Sequence, residues 1–312
     1  MTGVLVMAYG GPASVDEMAG YLSDIRSGRV TTPEVLEEIR DHYRRIGGAS
    51  PINDITRRQI EGMEANLDPD SYRCYMGMRH WRPWIEEVVG QMVDDGIEKA
   101  VGLVLAPHFS SMSVARYQQK IHDGLDMYRG DIDFRFVDSY SDLPAFIECL
   151  AERVRTGIEA FDEAQRDSVH VVFTAHSLPL VIAKRGDPYA NQLLHTARLV
   201  AARAGLSRSD WSWSYQSAGA SAQPWMGPDL PDHIAALAER GVRNVVCVPV
   251  GFVSDHVEVL FDIDIEGQEA AAEHGMRLVR PEGINDDPRF TEALAGLVRA
   301  KAGEWENGRA GE

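Results

Sequence analysis

Short apolar runs alternate along this chain with longer stretches whose apolar residues recur every three to four positions. A short apolar run bounded by turn residues reads as a buried strand, and the longer spacing reads as an amphipathic helix. Strands are thereby predicted at 3–8, 72–78, 100–106, 134–137, 170–174, 211–215, 244–250 and 276–279. Helices are predicted at 15–25, 33–46, 55–66, 84–95, 145–160, 188–204, 232–240 and 288–301. Strands that alternate with helices in this way form parallel sheets in an α/β fold. The polar break at 138–143 favours two sheets of four strands over one wide sheet. The expected domains are therefore 1–138 and 139–287, with the last helix (288–312) crossing back to cover the first domain.

Composition narrows the classes without naming a chemistry. Of 312 residues, 44% are hydrophobic and 25% charged, which fits an ordinary globular protein. The net charge of -17 makes nucleic acid an unfavourable partner, because a phosphate backbone would be repelled. Cys74, Cys149 and Cys247 are too scattered for a disulfide framework or a metal knuckle, so each is expected to be a small buried hydrophobe. The opening MTGVLVMAYGGP lacks a basic leader region and reads as a first strand. No stretch approaches the ~18 apolar residues of a membrane span, and a cytoplasmic protein is expected.

Ligands of open parallel sheets bind beyond the carboxyl ends of the strands. Here those segments read AYGGP (8–12), MRHWRPW (78–84), APHFSSMS (106–113), TAHSLP (174–179), YQSAG (215–219) and VGFVSDHVE (250–258). They place His80, His108, His176 and His256 where loops usually carry Gly, Asn and Asp. Any one of these could be a histidine that only ties down its loop, since buried polar groups are paired; four together point to at least one with a chemical role. Motifs for dinucleotides, nucleotides and zinc proteases are missing, as is a nucleophile elbow, and Ser177 directly after His176 is a poor nucleophile and base pair.

Glu258, Asp262 and Glu266 in HVEVLFDIDIEGQE are spaced four apart, which on an α-helix puts three carboxylates in one row, with Val259, Leu260, Ile263 and Ile265 on the other sides. Such a row repels itself in water. It suits either a solvated face or a track for a hydrated cation. Basic residues gather early, at Arg26 and Arg29 and at His42, Arg44 and Arg45, where guanidinium forks could pair with substrate carboxylates.

With these segments in view, the chain resembles the ferrochelatases, and among them the bacterial coproporphyrin ferrochelatases. The matching stretches are VMAYGGP (6–12), IRSGR (25–29), IGGASPIN (46–53), LAPHFSSMSVARY (105–117), FTAHSLP (173–179), YQSAGASAQPWMGPDL (215–230) and VPVGFVSDHVEVLFDIDIE (248–266). The resemblance implies two Rossmann-like lobes of the class II chelatase type, each with a four-stranded parallel sheet, and an active-site cleft between them. It implies insertion of ferrous iron into coproporphyrin III with release of two protons, giving coproheme in haem biosynthesis. Related alternatives are a protoporphyrin IX ferrochelatase, a chelatase for another metal and tetrapyrrole, and a carrier that binds haem without turnover.

By matching motif, His176 and Glu258 would be the catalytic pair and would handle the metal, with Asp262 and Glu266 as secondary cation sites. Tyr9, Arg26, His42, Tyr43, Ser50 and Tyr117 fall on substrate positions. His42 stands where close relatives often carry arginine, and Arg44 or Arg45 would have to compensate. Trp225, Met226 and Met112 could line a slot for a flat ring, whereas Met76 reads as core. The tail KAGEWENGRAGE carries no cysteine, so no iron–sulfur cluster is expected, and iron enters as substrate with no resident cofactor. The resemblance further implies a monomer, with a passing contact to the next haem-pathway enzyme.

Overall fold

A computed structural model describes residues 1–219 and 223–309. Its eight strands are β1 (Thr2–Ala8), β2 (Tyr72–Met78), β3 (Lys99–Val104), β4 (Asp133–Val137), β5 (Val169–His176), β6 (Trp211–Gln216), β7 (Asn244–Pro249) and β8 (Arg277–Val279). All pair in parallel, in two sheets ordered β2-β1-β3-β4 and β6-β5-β7-β8. In β1, Val4, Leu5, Val6 and Met7 are all completely buried, and in β5 so are Val171, Val172 and Phe173. Consecutive apolar residues are what a strand covered by helices on both faces requires.

The chain divides into two compact units. One comprises Met1–Tyr140 and the chain from Asn285 onward, and the other Ser141–Ile284. The divisions thus fall at 140/141 and 284/285, against 138/139 and 287/288 in the reading from sequence. The final helix, Pro288–Arg309, belongs to the first unit. Its Trp305 is buried, donates from Nε1 to Asp133 at 2.5 Å and lies under the Arg135 guanidinium at 4.8 Å. Near its start, Thr291 packs so closely on Gly62 that a Cβ there would stand 2.7 Å from the threonine oxygen.

Two features depart from the hydrophobic pattern. Helix Val114–Tyr128 is not legible as an apolar stripe, because Tyr117 and Gly124 occupy two of its four buried positions. At Gly124 a Cβ would meet the Val89 Cβ at 3.0 Å, so glycine there permits close helix contact at the cost of the apolar signal. The predicted carboxylate helix is interrupted. Val257–Leu260 is a single α-turn, Asp262–Gly267 is π-helical, and α-helix resumes at Gln268–Glu273. The Glu266 amide reaches back five residues to the Phe261 carbonyl at 3.0 Å.

In both sheets the strand order reverses between the first strand and the third, at β1/β3 and β5/β7. Parallel sheets open a crevice at such a switch point, beyond the carboxyl ends of the two flanking strands. Tyr9 directly follows β1, His176 ends β5, and the loop after β7 leads to Glu258.

Candidate active site

In the second unit, His176 closes β5 beside Gln216, its register partner at the end of β6. The His176 Nε2 stands 3.5 Å from Glu258 Oε1, while His256 Nε2 lies 3.4 Å from Glu258 Oε2. One carboxylate therefore faces two imidazoles. Both rings are oriented from behind, His176 Nδ1 by the Ser177 carbonyl and His256 Nδ1 by the Ser254 carbonyl at 3.0 Å. Phe252 packs edge-on against the His256 ring, with centroids 4.5 Å apart.

Electrostatics separates the histidines. Burial acts to lower His176, but the Glu258 charge and hydrogen bond outweigh it and hold the imidazole up at about 9. Burial likewise opposes ionisation of Glu258, yet His176 and His256 keep its carboxyl well below the usual range. The resting pair is thus imidazolium and carboxylate. Farther along, burial and then the Glu258 charge push Asp262 up to about 7, against a hydrogen bond from Ser217. In the first unit, burial pushes His108 down to about 3 and His80 to about 4, the latter despite a 2.6 Å bond between its Nδ1 and Asp24. Those two are neutral loop histidines.

Several residues that hold this set were not singled out from the sequence. Gln216 donates to the Glu258 carbonyl at 2.5 Å and accepts from Thr174 at 2.8 Å. Tyr189 donates to the His176 carbonyl at 3.0 Å. Ser217 sits at φ +61°, a left-handed conformation rare outside glycine, and this places its hydroxyl on Asp262. Gln216 and Ser217 were marked in sequence by their strand-end position and by the 215–230 stretch, but neither signal named their partners.

The structure brings His176, Glu258 and Asp262 into one interacting set, and Glu266, though exposed, acts on Asp262 through its charge. The three carboxylates do not share one α-helix: Glu258 lies in the α-turn and Asp262 and Glu266 in the π-turn, where a four-residue step is still close to one turn, and Asp262 feels the charge of both neighbours. Among the described residues, no three His, Cys, Asp or Glu side chains gather closely enough to hold a metal by themselves.

In the first unit, Tyr9 lies half-buried against His80, with ring centroids 4.5 Å apart. The turn after it needs Gly10, at φ +82°, where a Cβ would also stand 2.8 Å from the Met78 Cβ. Tyr43, Ser50 and Tyr117 are buried, and Arg26 is half-buried. Arg26 Nε and Ser50 Oγ are buried without a hydrogen-bond partner among the described residues. Burial lowers His42, so it is no substitute for an arginine charge at neutral pH. Arg44 pairs with Glu37 at 2.6 Å on the surface.

The proposed ring slot changes in part. Met226 is buried in a core cluster with Ala175, Tyr189 and Leu193, while Met112 is 40% exposed. Trp225 is half-buried and packs over Gly219, and Met76 is half-buried and not a full core residue. Residues 220–222 of the 215–230 stretch and 310–312 of the tail lie outside the described residues. Cys149 and Cys247 are buried as expected, but Cys74 is partly exposed.

A family model described as ferrochelatase matches residues 1–302. A curated Deinococcus radiodurans protein named ferrochelatase is 56% identical over 304 residues, covering 97% of this chain and 96% of its own length. A Geobacillus kaustophilus protein named coproporphyrin III ferrochelatase is 42% identical, covering 95% and 94%. Among solved structures, a cobalt complex of the Bacillus subtilis sirohydrochlorin chelatase SirB superposes with a TM-score of 0.59 at 13% identity, covering 98% of both chains. That likeness concerns the fold.

Proposed function

Because the chain belongs to the ferrochelatase family, with metal insertion into a porphyrin as its reaction, we propose that the metal is ferrous iron and the porphyrin coproporphyrin III. The observation that carries the chemistry is the Glu258 carboxylate set between His176 and His256 at a sheet's switch point. An arriving cation neutralises Glu258 and so withdraws the charge that keeps His176 protonated. The imidazolium then releases its Nε2 proton to solvent, and the freed lone pair first holds the metal and, once the ion has passed to the porphyrin nitrogens, accepts a pyrrole proton. Asp262, held at about 7, is placed to take the next proton along the segment. Porphyrin nitrogens complete the coordination, and two protons leave for each iron inserted.

Support for coproporphyrin comes from relatives such as the Geobacillus protein, from Tyr9, and from Arg26 and Ser50 with unsatisfied polar atoms. Coproporphyrin III carries four propionates and protoporphyrin IX two. A charge-assisted hydrogen bond contributes about 1.5–3 kcal/mol, so even one additional well-formed contact changes preference by about tenfold or more. No helix among the described residues is long and apolar enough to cross a membrane, where the more apolar porphyrin would partition. The same reading has the enzyme working as a cytoplasmic monomer with no resident cofactor and no iron–sulfur cluster, passing coproheme to the next haem-pathway enzyme.

The test is anaerobic metallation of both porphyrins by the purified protein, compared as specificity constants. Coproporphyrin III is expected to be favoured, and Arg26→Ala to reduce the ratio. Preference for protoporphyrin IX by the unaltered protein would overturn the substrate assignment and leave metal insertion standing.

A further inference from the structure

Arg280 leaves the end of β8 and is buried, with only 8% of its side chain exposed. Its Nε and Nη2 grip both oxygens of Asp264 at 2.6 Å each, and its Nη1 reaches Asp255 at 2.7 Å. The second Asp255 oxygen accepts the Gly283 amide at 3.3 Å. Asp255 immediately precedes His256, and Asp264 lies within the π-turn beside Asp262. One guanidinium therefore fastens the chain just before and just after the segment that carries His256, Glu258 and Asp262.

We propose that Arg280 is a positioning residue for metal insertion: its fork selects the π-helical register at 262–267 and through it fixes where Glu258 and Asp262 stand. A π-turn is rare because α-helix is the ordinary outcome for such a sequence, so something outside the local chain must favour it. The fork supplies that preference, since paired hydrogen bonds to a carboxylate fix direction as well as distance. Packing anchors one side of the segment, since Ile263 is fully buried in a core cluster with Val259 and Leu278, and the fork adds a directional contact that apolar packing lacks. A guanidinium is always charged, so the clamp is indifferent to the proton traffic next to it.

This inference rests on metal insertion being the reaction. Metallation by the unaltered protein is the control, and its failure would refute that reading separately from the clamp. The experiment compares Arg280→Lys, which keeps the charge but loses the fork, with Asp264→Asn, which weakens the fork from its other end. Active sites are counted by porphyrin fluorescence titration, so that misfolded protein is not scored as slow enzyme. Per counted site, each variant is expected to lose about 10- to 100-fold in kcat, with KM for iron raised and porphyrin affinity within about twofold of the unaltered protein. A lower melting temperature with normal kcat per counted site, in either variant that folds, would reduce Arg280 to a structural ion pair and overturn the proposal.

Discussion

Gln216 holds Glu258 by the main chain: its amide donates to the Glu258 carbonyl and leaves both carboxylate oxygens to the flanking histidines. The amide is in turn fixed by the Thr174 hydroxyl, and both side chains are buried. A two-strand relay thus sets the height of the carboxylate without taking any of its hydrogen-bonding capacity.

Gln216→Leu is expected to leave the Thr174 hydroxyl and the Glu258 carbonyl unsatisfied, at about 1–3 kcal/mol for each buried group. Thermal melting should report that loss, and insertion should slow while porphyrin binding persists. Unchanged turnover in the folded variant would show that the relay has no part in placing Glu258.

His176→Ala is expected to abolish insertion with porphyrin binding nearly intact, because it removes donor and base together. Glu258→Ala should be about as severe, and Glu266→Ala much milder, since Glu266 is exposed at the far end of the π-turn. Parallel steady-state assays of the three variants decide it. Equal losses at Glu258 and Glu266 would mean that the segment acts only through its summed charge.

Stability is expected to fall on both sides of neutrality, for opposite reasons. Burial holds His108 at about 3 and His170 at about 4, below the unfolded value near 6.5. The unfolded chain therefore binds more protons as pH drops below 6.5, and stability declines toward those lower values. His176 is raised to about 9, so the stabilisation from its pairing with Glu258 is complete below 6.5 and fades as pH climbs through about 9. Denaturant midpoints from pH 4 to 10 test this, and His108→Gln should flatten the acid limb.

Trp305→Ala should destabilise the first unit by about 3 kcal/mol or more, the usual cost of emptying a buried aromatic site. It removes the bond to Asp133 and the ring under Arg135. Calorimetry should show the loss, and the catalytic pair in the second unit should be unaffected in turnover per active site.

β1, β3, β5 and β7 were legible because each is a run of residues buried on both faces, whereas β2, β4, β6 and β8, with Arg73, Arg135, Ser212 and Arg277 at exposed or half-buried positions, were legible only as short apolar stretches between turns. His176 and Glu258 were legible because a histidine and a carboxylate follow strand ends within long, chemically unusual segments. Gln216, Ser217 and Tyr189 were not, since an amide or hydroxyl carries no sign of its partner until strand pairing brings the two together. The period of the carboxylate segment was likewise out of reach. Its four-residue spacing fits an α-helix, and the π-turn is set by contacts with Asp264 that arrive from Arg280, sixteen positions away along the chain. Apolar patterning therefore determined the strands, and the sequence motifs the chemistry. Tertiary structure decided which polar groups meet, because hydrogen bonds and ion pairs depend on distances that only the folded chain creates.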